Sequence, residues 1–186
     1  TYGGVDALRK RVSETDLVAD RCICNTRFST TGESTLDNAQ PVRAGHVSVS
    51  HNGNLLNFEY LRDKYSGTHM FTTGIDSEVL AVQLAKCDNF EEGARLCERE
   101  SVGAFNFTAI SDHTGEIAVY SDSTGFHPMH IGKKDNTLYA ASEDFTLNSL
   151  QVYDNEEISP GTLAIFSDKC VKKIKIAEAK EEFCFF

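Results

Sequence analysis

The stretch SHNGNLLNF, residues 50–58, sets His51, Asn52, Gly53 and Asn54 ahead of an apolar run. Asn-Gly is the strongest short signal for a two-residue β-hairpin turn, because both residues tolerate positive φ. Upstream, AGHVSVSHNG (44–53) places Val47, Val49 and His51 on one side, as a half-buried strand does. The pattern predicts a strand running into an Asn-Gly turn. Turn chemistry explains the Asn and the Gly, but not the His or the further asparagines. The same residues suit another task. A side-chain amide and an adjacent backbone N–H aimed at one point would hold an oxyanion.

The totals bound what the chain can be. Its 186 residues favour one domain with room for a core. Hydrophobic residues make up 40% and charged residues 25%, the usual balance of a globular fold. A formal net charge of -10 argues against nucleic acid and anionic membranes as partners. No apolar run approaches the roughly 20 residues of a membrane helix. No signal-peptide pattern is read, so a cytoplasmic location is expected. Six cysteines are scattered without a C-x-x-C pair, which predicts reduced thiols filling the core. His127 and His130 fall in a strand-like run on opposite faces, so no metal site is expected there.

Along the chain, VDALRKRVSE (5–14) reads as a helix or a frayed leader. NFEYLRDKY (57–65) puts Phe58, Leu61 and Tyr65 on one helical face. DSEVLAVQLAKC (76–87) is a stronger helix, opened by Asp76 and striped by Val79, Val82 and Leu84 or Ala85. NFEEGARLCERE (89–100) is a third, with Asn89 as its cap. Short strand-like runs follow at 103–110, 116–122, 128–133 and 137–142, then a helix at 143–150 and a hairpin of 161–167 and 170–176 around Asp168-Lys169. Helices beside many short, mostly antiparallel strands predict an α+β sandwich.

Four stretches together go further: TRFSTTGESTLDNAQP (26–41), SHNGNLLNFEYLR (50–62), TTGIDSEVL (72–80) and ASEDFTLNSL (141–150). In this order and spacing they resemble the glutamine amidotransferase domain of the amidophosphoribosyltransferase family. STGFHPMHIGKKDNTLYAASE (123–143), ISPGTLAIF (158–166) and CFF (184–186) are similar to further segments of that family. The resemblance implies an N-terminal-nucleophile fold, a four-layer αββα sandwich of two antiparallel sheets. It implies a reaction that takes ammonia from the glutamine side-chain amide through a cysteinyl thioester. It assigns the oxyanion donors to the Asn52 side chain and the Gly53 N–H. It assigns the α-carboxylate of glutamine to Arg27 with Thr30 in the same loop, and the α-ammonium to Asp76, whose bland reading is a helix N-cap. Residues 27–38 then read as the loop that closes over glutamine.

Two positions depart from the family pattern, Asn25 in place of a His and His127 in place of an Arg. The start departs most, since TYGGVDALRK lacks the expected Cys-Gly-Ile. The expectation is an amidotransferase domain over 1–186 whose nucleophilic Cys lies upstream, with the chain alone inactive. A phosphoribosyltransferase domain in cis is expected beyond 186. The implied partners are L-glutamine and that domain, with a homo-oligomer as the assembly. No cofactor is expected in this domain, and Mg²⁺ is expected for the phosphoribosyltransferase. Two alternatives stay open: a stand-alone class II subunit feeding a glutamate-synthase-like partner, and a catalytically dead glutamine-binding regulatory module.

Overall fold

The computed structural model describes residues 4–15, 18–27, 32–168 and 170–180. Thr30, Lys169 and Cys184 lie outside these, as do residues 28–31 of the expected closing loop and the CFF segment. Helix α1 (Val5–Ser13) comes first and buries none of its residues. The first hairpin follows from strands β1 (Val42–Ala44) and β2 (Val47–Leu55), with Ala44 paired to Val47. Its two-residue turn is Gly45-His46, and Gly45 has φ 56. Glycine at the first central position is what a type II′ turn selects.

Asn52-Gly53 is therefore no hairpin turn. Strand β2 runs straight through it for 9 residues. The reason is long-range pairing. Strand β3 (Gly103–Ser111) faces β2 along its whole length, from Val47 opposite Ser111 to Leu55 opposite Gly103. A continuous ladder outweighs the local turn preference of one dipeptide. The alternation does hold: Val47, Val49 and His51 are all buried.

Helices α2 (Phe58–Tyr65), α3 (Ser77–Ala85) and α4 (Phe90–Glu100) lie between β2 and β3 in the chain. Leu61 and Tyr65 bury the predicted face of α2. Asn89 caps α4 by accepting the Glu92 N–H at 2.9 Å. Helix α3 differs from its predicted stripe, because every residue from Ser77 to Leu84 is buried. It is wedged among β1, β2, α2 and α4, so it has no solvent face to leave polar.

Strands β4 (Ile117–Ser121), β5 (His130–Lys134) and β6 (Thr137–Ala141), helix α5 (Asp144–Ser149), and strands β7 (Asn155–Glu157), β8 (Thr162–Ser167) and β9 (Cys170–Lys175) complete the order. One sheet runs β1-β2-β3-β4-β8-β9 and the other β6-β5-β7, with every pairing antiparallel. Alternation along β4 and β8 builds two cores. Ala118, Tyr120, Leu163 and Ile165 pack toward the α3 and α4 layer. Val119, Ala164 and Phe166 pack with Met129, Ile131 and Ile158 between the sheets. Helix α5 covers the smaller sheet. The architecture is the expected α+β sandwich.

The cysteines correct the core-filler reading. Cys97 is buried, Cys87 is half-buried, and Cys22, Cys24 and Cys170 are exposed.

Candidate functional site

Strand β2 carries the site along its free end. The His51 N–H leaves the ladder and donates to Gln40 Oε1 at 2.6 Å. The Leu55 N–H also turns away and donates to Asp76 Oδ2 at 2.9 Å. Across the ladder, the Phe105 N–H donates to Asp122 Oδ2 at 2.8 Å rather than to β2. Residues 51, 53 and 55 are thus the non-hydrogen-bonded positions of this pair of strands. The alternation of an antiparallel ladder directs the Gly53 N–H to the same open edge, between Gln40 and Asp76. Asn52 has its side chain on the opposite face and is exposed. The Asn52 amide and the Gly53 N–H are therefore adjacent, one on a sheet face and one on the strand edge.

Gly53 is glycine for a reason the sequence did not reveal. Its φ is 142, and an added Cβ would overlap the Ala104 carbonyl oxygen and lie 2.6 Å from the Ala104 carbonyl carbon. The neighbouring strand, before any substrate, forbids a side chain here.

Asp76 is not a side-chain N-cap, since its carboxylate makes no bond to the first turn of α3. It is buried and turns back to β2. Burial pushes its carboxyl up, but His51 and the Leu55 N–H outweigh that and hold it below the usual carboxylate range. His51 Nδ1 lies 3.2 Å from Ser77 Oγ and 3.7 Å from Asp76 Oδ1. Nδ1 therefore faces Ser77 and the Asp76 carboxylate, and Nε2 points away from them. That Nε2 is buried without a protein partner. A Cβ at residue 53 would sit 3.1 Å from it, so the imidazole lies alongside Gly53.

Arg27 is half-buried, and its Nη1 donates to the Glu33 carbonyl at 3.2 Å. It is placed in the 32–38 region rather than against Asp76. The TTGID loop between them is pinned by Glu78. This fully buried carboxylate accepts the Thr72 N–H at 2.9 Å, the Thr73 N–H at 2.8 Å and the Thr73 hydroxyl at 2.7 Å. His69 Nε2 lies 3.0 Å from it as well. Burial raises the Glu78 carboxyl, yet these donors outweigh burial and hold it low. By position Glu78 is an acid in the first turn of α3. It reaches back to the preceding loop.

A polar network closes the other side. Asn106, opposite Asn52 in the ladder, donates to the His127 carbonyl at 2.6 Å and accepts the Asp122 N–H at 2.9 Å. Asp122 also accepts the Thr124 N–H at 2.7 Å. Burial pushes the half-buried His127 imidazole down, with Asp122 opposing and His51 reinforcing. At the other departure from the family pattern, Asn25 Nδ2 donates to the His51 carbonyl at 3.4 Å. His51, Asn38, Gln40 and Asn106 were all missed as site residues. Asn38 and Gln40 stand in the quoted N-A-Q-P run, which was the one signal that could have pointed to them.

Among the described residues, no group of three His, Cys, Asp or Glu side chains could hold a metal ion. No helix among them is long and apolar enough to cross a membrane.

Comparison with known proteins bears on this geometry. The amidophosphoribosyltransferase of Archaeoglobus fulgidus is 33% identical over 91% of this chain and 39% of its own length. That of Pyrococcus horikoshii is 30% identical over 100% of this chain and 42% of its own. The chain thus spans about two fifths of the length of these two relatives. A solved glutamine phosphoribosylpyrophosphate amidotransferase from B. subtilis, complexed with ADP and GMP, matches with TM-score 0.72 at 25% identity, over 82% of this chain and 34% of that one. Two antiparallel sheets face to face with helices outside are the architecture of an amidotransferase of the N-terminal-nucleophile type. A family model described as a glutamine amidotransferase domain matches residues 25–149. The chain belongs to that family, in the branch represented by amidophosphoribosyltransferases.

Proposed function

We propose that this chain is the glutamine-hydrolysing domain of an amidophosphoribosyltransferase. Arg27 grips the α-carboxylate of L-glutamine with a guanidinium fork, and Asp76 pairs with the α-ammonium. A cysteine thiolate, from a residue outside this chain, attacks the side-chain amide carbon. The Asn52 amide and the Gly53 N–H receive the charge on the carbonyl oxygen as the tetrahedral intermediate forms. Collapse breaks the C–N bond, the departing amide –NH2 takes up the proton that the thiol gave up and leaves as ammonia, and a cysteinyl thioester remains. Water then cleaves the thioester to glutamate and frees the thiol. The ammonia passes to phosphoribosyl pyrophosphate on a phosphoribosyltransferase domain in cis and displaces pyrophosphate, giving phosphoribosylamine for purine biosynthesis. Mg²⁺ belongs with that second domain. A homo-oligomer in the cytoplasm completes the proposal.

One observation supports this reading above the others. The flanking N–H groups of His51 and Leu55 both leave the ladder, and so expose the edge where the Gly53 donor lies beside a buried, ionised Asp76. The test is Asn52→Ala in the full-length protein. Loss of one oxyanion donor lowers glutaminase kcat by about 10²–10³. Near-normal kcat would remove the Asn-Gly pair from the chemistry.

A further inference from the structure

Asn38 is 6% exposed, and its amide is used at both ends. Its Nδ2 donates to the Glu33 carbonyl at 2.9 Å, and its Oδ1 accepts the Gly74 N–H at 2.8 Å. The Glu33 carbonyl is the same oxygen that accepts Arg27 Nη1 at 3.2 Å. Gly74 stands two residues before Asp76 in the loop that Glu78 pins. A path of hydrogen bonds therefore runs from Arg27 through Glu33 and Asn38 to the Asp76 loop. A second contact seats the same segment. Gly32 has φ +73, and a Cβ there would lie 2.7 Å from the Gly74 carbonyl oxygen and 3.0 Å from Ile75 Cγ2. The 32–38 segment is docked on residues 74–75 at both of its ends.

The residue type matters. An amide of this length donates and accepts at once. Aspartate would accept the Gly74 N–H but could not donate to the Glu33 carbonyl. Alanine would do neither.

Resting on the glutamine pocket proposed above, we infer that Asn38 is a positioning residue for substrate specificity, which locks the Arg27 grip to the Asp76 grip at one fixed spacing. The carboxylate and ammonium of one α-amino acid are then recognised as a unit. An amide that carries only one of the two charges cannot satisfy both grips, and the unmatched polar group counts against it.

The experiment uses the full-length protein and three amides. These are L-glutamine, 5-amino-5-oxopentanoate (no ammonium) and 4-aminobutanamide (no carboxylate). Asn38→Asp keeps the acceptor toward Gly74 and loses the donor toward Glu33. It is expected to raise KM for glutamine and for 5-amino-5-oxopentanoate about tenfold, the worth of one hydrogen bond, with kcat within about twofold. KM for 4-aminobutanamide stays unchanged, because that amide makes no use of Arg27. Asn38→Ala, which unties both sides, raises KM for all three. An Asn38→Asp protein with unchanged KM values, or with kcat lowered equally for all three amides, overturns the inference. Arg27→Ala and Asp76→Ala, run on the same amides, separate the two levels. If they leave glutamine KM unchanged, the pocket itself is wrong and this inference falls with it. If they raise it while the Asn38 variants do not, the pocket stands and only the role of Asn38 is refuted.

Discussion

Gly53→Ala separates a strand-edge glycine from a turn glycine. Two costs act at this position. The φ of 142 is a conformation that an alanine adopts only under strain, at about 1–3 kcal/mol. The new Cβ would also overlap the Ala104 carbonyl oxygen and lie 2.6 Å from its carbon. Those are backbone atoms of the paired strand and cannot rotate away. Prying β2 from β3 adds about 1–3 kcal/mol, the usual range for overpacking. The sum is about 2–6 kcal/mol, a large part of the roughly 5–15 kcal/mol that holds a domain together. Gly45→Ala is the control. It has φ 56, but the nearest atom to its Cβ would be Ala85 Cβ at 3.8 Å, an ordinary contact. Only the left-handed backbone penalty remains there, about 1–2 kcal/mol. Urea unfolding followed by circular dichroism reads both. With a slope of about 2 kcal/mol/M, the Gly53→Ala midpoint drops by about 1–3 M and the Gly45→Ala midpoint by under about 1 M. If Gly53→Ala is no more destabilised than Gly45→Ala, the close β2–β3 approach described above is wrong.

Three further outcomes are expected. Glu78 is held low in the folded state, so its stabilisation is present above its unfolded pKa of about 4.3 and is lost as pH falls through the lower folded value. Glu78→Gln should therefore be less stable than the parent by about 2–4 kcal/mol at pH 7, with the gap closing toward pH 2; a constant gap in urea titrations across that range would contradict the assignment. Arg27→Ala should raise KM for glutamine steeply in steady-state assays, and Arg27→Lys should restore little because the fork is lost; full recovery with lysine would reject carboxylate recognition by a fork. In the full-length protein, phosphoribosyl pyrophosphate with Mg²⁺ should raise the glutaminase rate, and saturating glutamine should tighten the sugar substrate by the same binding factor; no response and no phosphoribosylamine would reject that acceptor.

How far the sequence could be read depends on how local each signal is. The Asn89 cap, the buried face of α2 and the alternation of β2 rest on neighbours a few residues apart, and all appear where expected. The site partnerships do not. Gln40 meets His51 across 11 residues, Asp76 meets Leu55 across 21, and Asn38 meets Gly74 across 36. Nothing in the flanking residues encodes which distant group a buried amide or carboxylate will find. The short β1 and β7 were missed for the same reason, since each is a strand only because a partner lies alongside. Asn52-Gly53 is the instructive case, because there the local signal is strong and wrong. A turn at this dipeptide would have to break the ladder from Asn52 opposite Asn106 to Leu55 opposite Gly103. It would also release Leu55 from Asp76, and with it the anchor that turns Asp76 toward His51. The extended course of the dipeptide, the open Gly53 N–H and the buried ionised Asp76 are consequences of one event, the pairing of β2 with β3 beyond residue 51. The residues that look most like a turn stay extended because the long-range ladder prevents them from turning.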